Sequence, residues 1–248
     1  MKQLQDKVAV ITGASGGLGK GIAEVFAAQG AKVVLAARRA EVLEGVAAGI
    51  RAIGDTALAV PTDVTKEPQV IALFARAMQA HGRVDILVNN AGMASRTPIE
   101  DTTLEFWQSV VDLNLTAAFL CAREAVRIMK KQGGGRIVNV GSISSITPRP
   151  NSSAYAATKC AIDGLTHSLT MDGRAYGVVA SVVRPGSTAS SFNAARGGPG
   201  PGKRPEDYIM ATEDLARVVL LMCSLPPEVN LFEATLLPNH MISFIGRG

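Results

Sequence analysis

The sequence predicts an α/β fold, a doubly wound parallel β-sheet in one domain spanning residues 1–248. Three observations predict it. Residues 7–37 read as a strand, a glycine-rich turn, a helix and a second strand, a complete βαβ unit. Short, continuous apolar runs then recur along the chain, as expected of strands covered on both faces. Between those runs lie segments with apolar residues at helical spacing, and several runs end in glycine or small residues, where ligands bind in such sheets. With 47% hydrophobic and 19% charged residues the chain is globular, and 248 residues is an ordinary length for one α/β domain.

Residues 7–12 carry Val-Ala-Val-Ile, the first buried strand. Gly13-Ala14-Ser15-Gly16-Gly17-Leu18-Gly19 follows at once. Its glycines let the backbone turn tightly and approach a pyrophosphate, whose charge suits the N-terminus of the helix that follows. Ile22, Ala23, Val25, Phe26 and Ala27 define that helix, with Gly30 as its expected C-cap. Residues 32–37 form the second strand, which ends in Arg38-Arg39 with no acid before Glu41. An acid at this point bonds a ribose 2′-hydroxyl, whereas an arginine accommodates a 2′-phosphate, so NADP(H) is favoured over NAD(H). The alternative is that Arg38 and Arg39 only begin a solvated helix over residues 39–53.

The alternation continues. Residues 56–60 are a strand leading to Thr62-Asp63-Val64, where Asp63 would meet an adenine amine, and residues 67–81 are a helix closed by Gly82. Residues 84–88 are a strand ending at Asn89-Asn90-Ala91-Gly92. Residues 103–131 are helical in pattern but interrupted by Asn114, either a core polar group that bends the helix or a functional one. Arg136 to Gly141 reads as a buried strand delivering Ser142, and a helix then runs to about Tyr176. Residues 178–184 are a strand closed by Pro185-Gly186. Residues 187–211 form a long loop with a Gly-Pro run at 197–202, either a lid over a substrate or a surface insertion. A helix over 212–222, with Thr212 as N-cap, and a strand over 231–237 precede an apolar tail at 241–245.

Within the helix that runs to about Tyr176, Tyr155 and Lys159 stand one turn apart on one face. A phenol titrates near pH 10, and a neighbouring ammonium favours its phenolate, drawing it toward the range of efficient acid–base catalysis. A hydroxyl at Ser142 would hold the oxygen of a carbonyl or alcohol. The spacing alone is weak, since tyrosine and lysine four apart often do no more than cover a helix surface.

The net charge of +4 is spread in pairs such as Arg38-Arg39 and Lys130-Lys131, which argues against a nucleic-acid partner and suits a small anionic ligand. Cys121, Cys160 and Cys223 are far apart, and His81, His167 and His240 are equally dispersed, so no metal site is expected. The cysteines are expected to be reduced and buried, in a cytoplasmic protein. The sequence shows neither a leader at Met1 nor an apolar run of membrane-spanning length, so no membrane association is expected.

Taken together these motifs resemble the short-chain dehydrogenase/reductase family, in its single-domain, Rossmann-type branch. Thr12-Gly13-x-x-x-Gly17-x-Gly19, Asn89-Asn90-Ala91-Gly92, Asn114, Ser142, Tyr155-x-x-x-Lys159 and Pro185-Gly186 fall in family order, with 41 residues from Asn114 to Tyr155 and 13 from Ser142 to Tyr155. The resemblance implies that Tyr155 exchanges a proton with the substrate oxygen, Ser142 holds that oxygen, Lys159 bonds the nicotinamide ribose, and Asn114 positions a water in a proton relay. It implies a cofactor held by Gly13, Ser15, Gly17, Leu18 and Gly19, by Arg38, Arg39, Asp63 and Val64, and by Asn90, Ala91 and Gly92. Tyr155, Lys159, Pro185, Gly186 and Thr188 would complete that site. Family members are commonly homotetramers, in which the 241–245 tail would be covered by a neighbour.

The sequence also departs from the family. Gly16 stands where NADP-dependent members often have a basic residue, so Arg38 would do most of the cofactor discrimination. Gly177-Val178-Val179 replaces the usual Gly-Ile-Arg. The C-terminus lacks the Val-Asp-Gly-Gly of β-ketoacyl carrier-protein reductases. Its Asn230-x-x-Glu233, Pro238 and final Gly246-Arg247-Gly248 are similar to the branch of NADP-dependent 3-hydroxy acid and serine dehydrogenases. That similarity implies a secondary alcohol or carbonyl on a small polar substrate such as a 3-hydroxy acid, with Met93, Ser144, Arg149, Asn151 and Phe192 shaping the pocket. Arg149 would either pair with a substrate carboxylate or stay a surface charge. A 3-oxoacyl-[acyl-carrier-protein] reductase is the rival enzyme, and an NADPH-binding sensor the rival without catalysis.

Overall fold

Seven runs of β-branched and small apolar residues lie side by side, all parallel, in the computed structural model, which describes residues 2–189 and 209–239. They are β1 (Val8–Thr12), β2 (Lys32–Ala37), β3 (Ala57–Pro61), β4 (Ile86–Asn89), β5 (Gly135–Val140), β6 (Val178–Pro185) and β7 (Glu233–Leu236). Their order across the sheet is β3-β2-β1-β4-β5-β6-β7. A parallel neighbour requires a crossover, and the helices supply it: α1 (Gly17–Ala28), α2 (Ala40–Ala52), α3 (Glu67–His81), α4 (Leu104–Val111), α5 (Ala117–Gln132), α6 (Ser153–Gly173) and α7 (Thr212–Ser224).

Successive strand residues point to opposite faces, and the two faces carry different helices. Ala9, Ile11, Val33, Leu35 and Val138 pack with Phe26, Leu43 and Val219 of α1, α2 and α7. Val8, Val10, Val34, Leu87 and Ile137 pack with Phe74, Ala122 and Met129 of α3 and α5. Burying a side chain such as Phe26, which is fully enclosed, is worth roughly 1.5–3 kcal/mol. This is the predicted Rossmann-type sheet. None of the described helices is long and apolar enough to cross a membrane.

Several expectations are corrected. The fourth strand begins at Ile86, not Val84, and Asp85 just before it anchors the start of the neighbouring central strand β1: its Oδ2 accepts from Val8 N at 2.9 Å and from Arg83 Nε at 2.8 Å. The last strand is confined to Glu233–Leu236. Thr212 does not cap α7; the cap position is Ala211, and the Thr212 side chain instead fills the space over Gly21 of α1. Cys121 and Cys223 are buried, but Cys160 is exposed, on the outer side of α6. Arg136, read as part of an apolar run, is buried because its guanidinium donates to the carbonyls of Met222, Leu225, Pro226 and Val229, where α7 ends. The 197–202 run, Phe192 and the 241–248 tail lie outside the described residues.

Candidate active site

From β1 the sheet grows in opposite directions, through β2 on one side and β4 on the other, and at such a reversal a crevice opens beyond the strand ends. A crevice of about 480 Å³ lies there. One end is lined by Gly13, Ser15, Gly17 and Leu18 after β1, and by Arg38, Arg39, Asp63 and Val64 after β2 and β3. Asn90, Ala91 and Gly92 line its middle, and Ser142, Tyr155, Lys159, Pro185, Gly186 and Thr188 the other end. Residues scattered over most of the sequence thus share one cleft. Gly19 and Asn114 do not line it and act from behind its wall.

The glycine turn is built for close approach. Gly13 has φ +66, and a Cβ there would meet Asn90 Nδ2 at 2.8 Å. At Gly19 a Cβ would lie 2.4 Å from the Gly13 oxygen and 2.5 Å from Asn90 Nδ2. Asn90 in turn donates from Nδ2 to Thr12 O at 2.9 Å, while Thr12 Oγ1 accepts from the backbone N–H groups of Asn90 and Ala91, each at 3.0 Å. These bonds lock the loop after β4 against the turn after β1. No side chain caps α1, so its first amides remain available to a phosphate.

Arg38 and Arg39 are exposed at the end of β2, and Arg39 Nη2 donates to Ser15 Oγ at 3.4 Å. Beside them Asp63 accepts from Thr65 N and Thr65 Oγ1 at 3.0 and 2.8 Å. Burial works to raise the Asp63 pKa, but the Thr65 bonds and the charges of Arg38 and Lys66 outweigh it, and the carboxyl titrates below its ordinary range.

At the other end, Ser142 leaves β5 in extended backbone, and its Oγ accepts from Ser144 N at 3.1 Å, leaving the hydroxyl proton to donate into the crevice. Tyr155 and Lys159 are buried on one face of α6. Lys159 Nζ donates to Val140 O at 2.7 Å and stands 5.7 Å from the centre of the Tyr155 ring. Burial lowers the Lys159 pKa to about 8, although Asp163 one turn further on works to raise it.

At Asn114 the structure shows the helix-bending core polar group that the sequence offered as one of two readings. It sits in a π-helical turn, Asp112–Thr116, that joins α4 to α5, so it does distort the helix. Its Oδ1 accepts from Met93 N at 2.7 Å, and its Nδ2 donates to Met93 O at 2.9 Å and Thr158 Oγ1 at 3.2 Å. Thr158 Oγ1 donates to Tyr155 O at 2.8 Å. Asn114 therefore ties the loop after β4 to the helix carrying Tyr155 and Lys159.

Other side chains support the site in ways the sequence reading did not assign. Ser95 Oγ accepts from Tyr155 N at 3.1 Å. Behind Lys159, Arg184 Nε donates to Asp163 Oδ2 at 3.0 Å and Arg184 Nη1 to Glu233 Oε2 at 2.9 Å; His167 bonds Glu233 Oε1 at 2.9 Å. Arg184 first, then His167, hold the Glu233 carboxyl down at about 2. In the sheet below, Asn89 Nδ2 donates to Asn139 Oδ1 at 2.9 Å, and Asn139 Nδ2 donates to Thr166 Oγ1 at 2.9 Å. The available signal was an asparagine at or next to the C-terminal end of each of two apolar strands.

The model of the family described as short chain dehydrogenase matches residues 7–198. An uncharacterized oxidoreductase of Staphylococcus aureus (strain USA300) is 36% identical over 238 residues, covering 96% of this chain and 100% of the relative. Among solved structures, a short-chain type dehydrogenase/reductase from Mycobacterium marinum is similar with a TM-score of 0.88 and 29% identity, covering 96% of each chain. A 3-ketoacyl-(acyl-carrier-protein) reductase from Brucella melitensis, complexed with NADH, is similar with a TM-score of 0.84 and 32% identity, covering 94% of this chain and 96% of that one.

Proposed function

The chain belongs to the short-chain dehydrogenase family, and from that premise we propose an NADP(H)-dependent oxidoreductase that interconverts a secondary alcohol and a carbonyl on a small polar substrate such as a 3-hydroxy acid. The observation that carries this reading is the meeting of Ser142, Tyr155 and Lys159 with the glycine turn and Arg38-Arg39 in one crevice. The residues fit the cofactor. The Gly13 turn and the uncapped start of α1 suit a pyrophosphate, and Asp63 and Val64 suit the adenine. Arg38 and Arg39 suit a 2′-phosphate, and Pro185, Gly186 and Thr188 the nicotinamide end. The NADH of the Brucella reductase supports a nicotinamide cofactor; the preference for NADP(H) rests on the two arginines. The cofactor supplies or accepts the hydride.

The chain's residues do the rest. Ser142 donates its hydroxyl proton to the substrate oxygen and fixes it. Tyr155 gives a proton to that oxygen, or takes one from it in the other direction. The Lys159 ammonium favours the phenolate that Tyr155 becomes, and its burial strengthens this effect by excluding water. The Asn114 amide is committed to Met93 and Thr158, so a relay water would rest on its remaining Oδ1 lone pair or its main-chain carbonyl.

Replacing Tyr155 by Phe tests this reading: turnover of a panel of keto acids should fall by about 10²–10⁴ with NADPH binding retained. Undiminished turnover, or a wild-type protein that binds NADPH yet reduces no carbonyl, would refute it, the latter in favour of a sensor. A 3-oxoacyl-[acyl-carrier-protein] reductase is the second reading, favoured by the likeness to the Brucella enzyme. Preference for a carrier-protein thioester over the free acid would select it. The exposed Leu104, Trp107 and Phe119 on α4 and α5 also support a homotetramer, which a solution mass near that of one 25.8 kDa chain would contradict.

A further inference from the structure

One charge at the catalytic end of the crevice is left without structural work. Arg149 lies in the loop between Ser142 and α6 and lines the crevice together with Ser142, Ser144, Tyr155 and Met93. It is half-buried. Among the described residues its guanidinium has neither a hydrogen bond nor a carboxylate partner, whereas the buried Arg136 and Arg184 are engaged by carbonyls and carboxylates. A half-buried guanidinium left unpaired is costly, and it is the kind of group that awaits a ligand.

The surroundings add to that cost. Burial, then the like charge of Arg96, work against the Arg149 cation, and Tyr155 works for it. Arg96 is held nearby because the two loops are tied: Thr97 N donates to Asn151 O at 2.8 Å, and Ser152 Oγ donates to Arg149 O. Asn151 takes a left-handed backbone, φ 61, which asparagine tolerates, so the turn after Arg149 is a defined one. Asp63 is the only carboxylate that lines the crevice among the described residues, and it lies at the opposite end beside Arg38. The reacting end therefore presents Arg149 and Lys159, with Arg96 behind, and no lining anion.

We propose that Arg149, reinforced by Arg96, binds a carboxylate of the substrate and makes anionic oxo and hydroxy acids the preferred class over their neutral analogues. This rests on the oxidoreductase reading above and assigns its specificity to one residue. A guanidinium fork accepts both oxygens of a carboxylate, which would orient the neighbouring carbonyl toward Ser142 and Tyr155. Arg96, being exposed, contributes field more than contact.

The test compares acetoacetate with methyl acetoacetate, the same ketone with and without the charge, in NADPH-dependent reduction. Wild type should favour the acid. Arg149→Gln should lower the ratio of kcat/KM for acid over ester by about 10- to 100-fold, chiefly through the KM for the acid. Arg149→Lys should restore part of it, and Arg96→Gln should lower the ratio by less. Equal use of the two ketones by wild type, or an equal loss on both in Arg149→Gln, would overturn the proposal. Calorimetric titration of the NADPH-bound protein with malonate supplies a readout without turnover. If neither ketone is reduced but malonate binds wild type and not Arg149→Gln, the anion site stands and the redox reading fails. If NADPH binds and malonate does not, the anion site is overturned.

Discussion

Replacing Lys159 by Met removes a buried ammonium while keeping an unbranched stem. Burial lowers the Lys159 pKa from 10.5 to about 8, so between those values the unfolded chain holds a proton that the native chain has released. Stability contributed by this site therefore rises with pH, and the full desolvation penalty is present below pH 8, where both states are charged. At about 1.36 kcal/mol per unit the limit is about 3 kcal/mol, of which about 1 kcal/mol is recovered by pH 9. The buried thiols act oppositely. Burial pushes Cys121 and Cys223 up to about 12, so above pH 9 the unfolded chain loses protons first and stability falls. That contribution is common to both proteins, and the difference between wild type and Lys159→Met isolates the lysine. Urea unfolding followed by circular dichroism, at pH 7.5 and pH 9 and one protein concentration, should show wild type gaining about 1 kcal/mol relative to the variant. A difference that is flat with pH, or that slopes the other way, would mean that Nζ is not desolvated beside Val140.

Arg38→Ala should weaken NADPH binding by about 10- to 100-fold and NADH binding little, by fluorescence titration; equal losses would deny it a 2′-phosphate role. Asp163→Asn removes the carboxylate that favours the Lys159 ammonium, so the inflection that Lys159 contributes to the pH–rate profile should move to lower pH. An unmoved profile would reduce Asp163 to a tether for Arg184. Gly19→Ala would drive a Cβ to 2.4 Å from the Gly13 oxygen. The turn must then shift, so the urea midpoint should drop by an amount corresponding to about 1–3 kcal/mol and NADPH should bind more weakly. Unchanged affinity would show that the turn can relax without cost.

The strands and helices were readable from the residues because their causes are local. A strand covered on both faces must be a continuous apolar run such as Val8-Ala9-Val10-Ile11, and a helix on its flank must repeat its apolar residues every turn. The glycine turn and the Tyr155–Lys159 face belong to the same class, since each depends on neighbours a few positions away. Polar residues inside apolar runs were harder to interpret. Arg136 and Asp85 stood inside expected strands with no role assigned, until the structure supplied carbonyls from the end of α7 for one and the Val8 amide for the other. Thr212 looked like a cap because its type suits one, yet packing over Gly21 gave it different work.

By itself, then, the sequence determined which segments are strands and helices, and which side chains were available for chemistry. Tertiary structure alone decided the β3-β2-β1-β4 order that opens the crevice, and the tie of Asn114 between Met93 and Thr158. It also decided that Arg149, beside Tyr155 in the crevice, has no carboxylate partner among the described residues, while Arg184, equally charged, is spent on Asp163 and Glu233. The physical reason is one of range. Propensity, turn chemistry and periodicity act over a few residues, whereas burial and charge pairing depend on which distant segments the sheet brings together.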